Sequence, residues 1–166
     1  MKQTILRLLC LVALVGCTAQ KSYYTKEINN KKIVCGRISL DELKNEKEFP
    51  WYCEGVNAYK PNVLVVNELK QHVTGLGVII FAGSWCSDTH ENLPKMIKVL
   101  QEMGVKSSQI EVIMLDYNKQ SQWFNASIFN ITNVPTFVFF KNGQTIGKIV
   151  EQFNTNAEQD LLEILQ

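Results

Sequence analysis

The sequence has no dominant charge. Its 17 basic and 16 acidic residues leave a net +1, and the lysines and arginines are scattered rather than gathered into a stripe. The electrostatic footprint of nucleic-acid binding is therefore missing, and no nucleic-acid partner is expected. Only two histidines occur, His72 and His90, and both lie far from any pair of cysteines. Metal-ligand spacing is absent, so no zinc or other metal site is expected, and nothing calls for a cofactor. There are no internal repeats and no low-complexity tracts. At 166 residues the chain suits one domain with a single substantial core, and no second catalytic domain is expected.

The apolar run from Leu8 to Val15, with Lys2 and Arg7 ahead of it, is too short to cross a bilayer and reads as a secretory leader over residues 1–16. Leu14-Val15-Gly16-Cys17 resembles the bacterial lipobox, in which the cysteine is acylated and becomes the new N-terminus. Ordinary cleavage after Ala19 is the competing reading. The lipobox leads, because small Gly16 sits directly before Cys17 at the end of the apolar run. Cys17 is thus the expected lipid attachment point. With no acidic residue at Thr18 or Ala19, the expected location is the bacterial cell envelope, lipid-anchored and facing the periplasm. Of five cysteines, Cys10 would leave with the leader, and Cys35, Cys53 and Cys86 would remain in the body. In an oxidising compartment an odd count implies one unpaired thiol or a partner outside the chain.

Residues 17–32 are polar, carry Asn29-Asn30-Lys31-Lys32 and lack periodicity, which suits a flexible tether with order beginning near Ile33. Residues 33–69 then form an extension. Ile33 to Ile38 is a short β-branched strand, and Ser39-x-x-Glu42 is a capping box opening a helix through Leu40 and Leu43. Phe49 to Cys53 and Tyr59-Lys60-Pro61 read as a packed irregular segment. From Asn62, Val63, Val66, Leu69 and Val73 recur at helical spacing, and Thr74-Gly75 ends that helix.

The central stretch is Val78-Ile79-Ile80-Phe81-Ala82-Gly83-Ser84-Trp85-Cys86-Ser87-Asp88-Thr89-His90, followed by Pro94. Val78 to Phe81 predicts a buried strand that Gly83-Ser84 breaks, and Leu93, Met96, Ile97 and Leu100 predict a helix ended by Met103-Gly104. Cys86 falls at the helix N-terminus, where unpaired N–H groups and the helix dipole favour a thiolate. Asp88 opposes that effect. His90 would assist only if protonated and turned toward the sulfur. Ile110 to Asp116 is a second buried strand. Ser121 to Asn130 predicts a short helix with Trp123, Phe124 and Phe129 in the core. Thr136 to Phe140, Asn142-Gly143 and Thr145 to Val150 form a hairpin, and Thr155-x-x-Glu158 opens the last helix, with Leu161, Leu162 and Ile164 buried.

Trp85-Cys86 after an apolar strand, Pro94 eight positions beyond, and Val134-Pro135-Thr136-Phe137 farther on resemble the thioredoxin family. The element order agrees with that resemblance over roughly residues 70 to 166. The fold it implies is α/β, a central mixed sheet flanked by helices, here with an N-terminal strand-and-helix extension. The extension, loosely, resembles that of thioredoxin-like bacterial lipoproteins of the Bacteroidetes type. The second cysteine of the family's Cys-x-x-Cys would fall at position 89, which is Thr89. The family's buried carboxylate, six positions before the cysteine, is replaced by Ile80. The resemblance also implies a cis Pro135, which would set the Val134 backbone beside Cys86 as a surface for extended polypeptide, with Trp85.

Thiol–disulfide exchange needs a thiolate that attacks a disulfide and a second thiol that resolves the adduct. Cys86 can supply the first. Thr89, one turn along, could hydrogen-bond the thiolate but cannot resolve, so the resolving sulfur must come from a small thiol, a partner protein, or Cys35 or Cys53. The last two are more simply a structural disulfide or two buried thiols. The expected partners are protein or small-molecule thiols and disulfides, plus a membrane through the N-terminal lipid. A redox-inactive module that holds extended polypeptide at Trp85 and Pro135 is the alternative. A peroxidase comes third, since its Thr-x-x-Cys order is reversed here.

Overall fold

In a computed structural model, residues 22–45, 47–122, 124 and 126–166 are described. The leader, Cys10, Cys17 and Trp123 lie outside the described residues.

Among the described residues, six strands form one sheet in the order β1-β2-β4-β3-β5-β6. They are β1 (Tyr23–Ile28), β2 (Lys31–Ile38), β3 (Leu76–Ala82), β4 (Ile110–Met114), β5 (Thr136–Lys141) and β6 (Gln144–Val150). Only β3 and β4 run parallel, joined through the long helix α4 (Ser87–Met103); every other pairing is antiparallel. The remaining helices are α1 (Leu40–Asn45), α2 (Pro50–Ala58), α3 (Val63–Leu69) and α5 (Ala157–Leu165).

Strand alternation sorts the core into two faces. Val34, Ile80, Val112, Met114, Phe137 and Phe139 point to one face, where residues from all five helices join them in the larger cluster. Phe81, Ile113, Leu115 and Val138 point to the other, covered by Ala126, Ile131, Phe124 and Phe129 from the segment between β4 and β5. Among the described residues of that segment a 3-10 turn forms at Ala126–Phe129, in place of the helix that the sequence predicts over Ser121 to Asn130. Phe124 and Phe129 are partly buried against the second cluster, as a core role requires.

Four sequence expectations need correction. The tether does not extend to Lys32, because Tyr23–Ile28 pairs with Lys31–Ile38 as an antiparallel hairpin. Asn29 and Asn30 take φ of 51° and 59°, the left-handed pair that a two-residue hairpin turn requires. Phe49 to Cys53 is not irregular. Pro50 sits in the first turn of α2, where its missing N–H costs nothing, and the helix runs to Ala58. Gly55 lets α2 lie directly on α4, since a Cβ there would come within 2.7 Å of Pro94 Cβ. The last helix is capped by Asn156, whose side chain accepts from Gln159 N–H at 2.9 Å, and not by Thr155. Val63, placed in the core by spacing, is exposed at the first turn of α3, while Val66 and Leu69 are buried as expected. The Ser39–Glu42 capping box is present, with Glu42 N–H donating to Ser39 Oγ at 3.2 Å and Ser39 N–H to Glu42 Oε2 at 2.8 Å.

Tyr52 of α2 is 1% exposed, and its hydroxyl has no hydrogen-bond partner among the described residues. A buried hydroxyl without a partner carries a desolvation cost that a hydrogen atom does not. Tyr52→Phe is therefore expected to stabilise the fold, by about 1 kcal/mol in urea denaturation. A loss of stability in that measurement would show that the hydroxyl is satisfied.

Candidate active site

β3 ends at Ala82 and the chain turns sharply, Cys86 N–H donating to Gly83 O at 3.0 Å, before α4 begins. Cys86 is the N-cap of α4, with extended backbone, and its carbonyl accepts the first helical bond from His90 N–H at 3.1 Å. The partly buried thiol donates to Val134 O at 3.1 Å. The Val134–Pro135 bond is cis. The residue pair read from the resemblance as a binding surface therefore lies directly against the cysteine sulfur.

Trp85 is fixed on three sides. Its Nε1–H donates to Leu115 O at 2.9 Å, its ring lies 4.6 Å from that of Tyr117, and the Lys119 ammonium stands 5.0 Å over it. Gly83 makes room for the indole, because a Cβ there would come within 2.8 Å of the ring. Ser84 ties the turn to the extension, its Oγ accepting from Val34 N–H of β2 at 2.9 Å.

Thr89 makes no hydrogen bond to the sulfur among the described residues. It is fully buried, and its hydroxyl accepts from Gly83 N–H at 3.1 Å, which pins the end of β3 to the first turn of α4. His90 is not turned toward the sulfur either. Its Nε2–H donates to the Ser84 carbonyl at 2.8 Å, and the ring stacks on Trp51 of α2 at 4.5 Å. Asp88 Oδ1 accepts from Gln152 Nε2 at 2.9 Å.

Cys35 and Cys53 do not pair. Both are free thiols. Cys35 is buried on the strand face that Leu115 shares, whereas Cys53 is exposed on α2, which packs on the opposite face. Burial first, and then the Asp116 carboxylate, push the Cys35 thiol up, against partial relief from the Tyr24 hydrogen bond and Lys26. A buried, protonated thiol is a poor nucleophile, so Cys35 is a poor candidate for resolving an adduct. Ile80, at the position of the family carboxylate, is fully buried among apolar side chains.

Beside Cys86 opens a cleft of about 210 Å³ lined by Trp85, Cys86, Lys119, Thr132, Asn133, Val134 and Glu151. Sequence reasoning missed Lys119, Asn133 and Glu151. Asn133 directly precedes Val134, whereas Lys119 and Glu151 come from more remote segments that the strand order, setting the ends of β4 and β6 on either side of β3, brings to the cysteine. No local pattern marks them.

Three comparisons bear on this geometry. Residues 61–165 match the thioredoxin family model. Thioredoxin H9 of Arabidopsis thaliana is 34% identical over 51% of this chain and 56% of its own length, and thioredoxin H2 of the same plant 31% over 58% and 64%. The chain thus spans about three-fifths of the curated relatives it matches. A Pseudomonas aeruginosa protein of unknown function superposes with a TM-score of 0.55 at 12% identity, over 75% of this chain and 88% of its own. That likeness is one of fold. With the family model matching well over half the sequence, across the strand, cysteine turn, cis-proline and hairpin just described, the chain belongs to the thioredoxin family.

Proposed function

We propose that the protein carries out thiol–disulfide exchange with Cys86 as its single nucleophile, and that a thiol from outside the chain resolves the adduct. The observation that carries this reading is the position of the Cys86 sulfur. It lies 3.1 Å from Val134 O at the mouth of an open cleft, whereas the residue one turn on is a buried threonine. Attack by the Cys86 thiolate on a disulfide breaks that S–S bond and forms a mixed disulfide, releasing one thiolate. Among the described residues, no second sulfur lines the cleft to complete the exchange. Membership of the thioredoxin family supports protein thiols and disulfides as the substrate class. The leader and Cys17 reading adds a location, the bacterial envelope with a lipid anchor; incorporation of labelled fatty acid, lost in Cys17→Ala, tests it.

The test of the exchange reading uses the protein without residues 1–20, a disulfide-bonded protein substrate, and added thiol in increasing concentration. Turnover is expected only with the added thiol, and none is expected for Cys86→Ser. Equal behaviour of wild type and Cys86→Ser would overturn the reading and leave the site as a polypeptide-holding surface at Trp85 and Pro135.

A further inference from the structure

The cleft at Cys86 is built with one charge of each sign. Lys119 enters from the segment after β4, and Glu151 from the residue after β6, on opposite sides of the strand that delivers Cys86. Both residues hold left-handed backbone, with φ of 60° at Lys119 and 59° at Glu151. Side-chain-bearing residues seldom take this conformation, and such outliers persist where the surroundings fix them. Each side chain is also held. Lys119 Nζ donates to Tyr117 O at 3.2 Å while standing over the Trp85 ring, and Glu151 Oε2 accepts from Asn133 Nδ2 at 2.6 Å. The Glu151 backbone is tied on both sides, its N–H to Pro135 O at 2.7 Å and its carbonyl to the buried Asn92 Nδ2 at 2.9 Å. Neither charge pairs with an opposite charge among the described residues. One held charge of each sign, neither ion-paired among the described residues, thus lines the same small-molecule-sized cleft as the Cys86 sulfur.

We infer that this cleft selects a zwitterionic low-molecular-weight thiol, an amino-acid or short-peptide thiol carrying both a carboxylate and an ammonium, as the external partner of Cys86. The inference rests on the exchange reading above and names the class of its second substrate. The carboxylate meets Lys119 and the ammonium meets Glu151, which leaves the ligand sulfur between them at Cys86. The chemistry balances without any other reagent. A mixed disulfide Cys86–S–S–R′ is attacked at the Cys86 sulfur by the small thiolate RS⁻; the S–S bond breaks, R′S⁻ leaves and is protonated by water, and Cys86–S–S–R remains in the cleft. A second RS⁻ attacks the ligand sulfur, forming RS–SR and returning Cys86 as thiolate. Two electrons pass from two small thiols to the original disulfide.

The experiment measures the second-order rate of mixed-disulfide formation at Cys86 by intact mass. The probes are cystine, cystamine, dithiodiglycolate and hydroxyethyl disulfide, which are zwitterionic, cationic, anionic and neutral. Each rate is divided by that of the same disulfide with free mercaptoethanol, which removes differences in leaving group. The expected result is a cystine-to-neutral ratio of about ten, falling at high salt and falling toward one in Lys119→Gln/Glu151→Gln. Glu151→Gln keeps side-chain length and Lys119→Gln shortens it by one atom, and the corresponding single variants serve if the double variant does not fold. Reaction with all four probes at equal normalised rates overturns the inference and leaves single-cysteine exchange standing. Failure of every probe to modify Cys86 overturns both.

Discussion

Replacing Thr89 by cysteine is expected to free the exchange reaction from its external thiol. Thr89 lies one turn after Cys86 and is fully buried, so a sulfur there would stand one helical turn from the nucleophile while staying shielded from solvent. Side chains three apart on a helix are neighbours. A resolving thiol so placed acts intramolecularly, and well-oriented intramolecular reactions reach effective concentrations of about 10⁵ to 10⁸ M. Even a small fraction of that exceeds millimolar added thiol, so release of the mixed disulfide should accelerate at least about 100-fold at 1 mM thiol. The change has a cost in stability. Thr89 Oγ1 accepts Gly83 N–H at 3.1 Å, and sulfur is a weak acceptor, so the buried N–H is left poorly satisfied at about 1 to 3 kcal/mol. Single-turnover release of a trapped substrate, with and without added thiol, measures the effect. If Thr89→Cys still needs the external thiol at the wild-type concentration, the geometry proposed for resolution at position 89 is wrong.

That same threonine shows where sequence reasoning stops. The strand–turn–helix around Cys86 was legible because β3 is a pure apolar run, Gly83-Ser84 breaks it, and α4 has an unambiguous apolar stripe ending at Gly104 with φ of 97°. The Asn142-Gly143 hairpin was legible for the same kind of reason, a turn pair with φ of 52° and 83° between two strands. The first hairpin carries an equivalent signal at Asn29-Asn30, yet most of β1 beyond Tyr23 is exposed or half-exposed. Its edge position leaves no apolar alternation to read. α2 was hidden by its aromatics and by Pro50, which breaks a helix interior but opens a helix. The partners of Thr89 and His90 could not be read at all, since hydrogen-bond choices between Gly83, Ser84 and the sulfur depend on side-chain direction rather than spacing. The charges at the cleft mouth are set by strand order, which brings positions 119 and 151 together only after the sheet has formed.

Glu158→Ala is expected to loosen the N-terminal extension from the domain at a cost of about 2 to 3 kcal/mol. Glu158, 3% exposed on α5, receives two hydrogen bonds from the far side of the chain. Tyr59 OH donates to Oε2 at 2.6 Å and Asn62 N–H donates to Oε1 at 2.8 Å, so one carboxylate joins the end of α2 and the cap of α3 to the last helix. Bonds to a charged acceptor contribute about 1.5 to 3 kcal/mol each; because Asn62 is exposed and its N–H can turn to water, the pair falls below twice that range. Glu158→Gln should cost less, since the amide oxygen can accept Asn62 N–H while its NH₂ donates to the Tyr59 oxygen. The pH dependence gives a second readout. Burial first, and then the bond to Glu158, raise Tyr59 well above the ordinary phenol range, and burial does the same for Tyr52. A folded value above the unfolded one means that the contribution is complete below about pH 10 and is lost as pH rises beyond it. Glu158→Ala removes the bond and the charge that raise Tyr59, and Tyr59→Phe removes the titrating group itself. Each variant should therefore lose stability less steeply above pH 10 than wild type, while being less stable at pH 7. Urea denaturation from pH 7 to 11 measures both effects. An Ala variant as stable as wild type at neutral pH would show that the apolar contacts of α2 and α3, rather than this carboxylate, hold the extension in place.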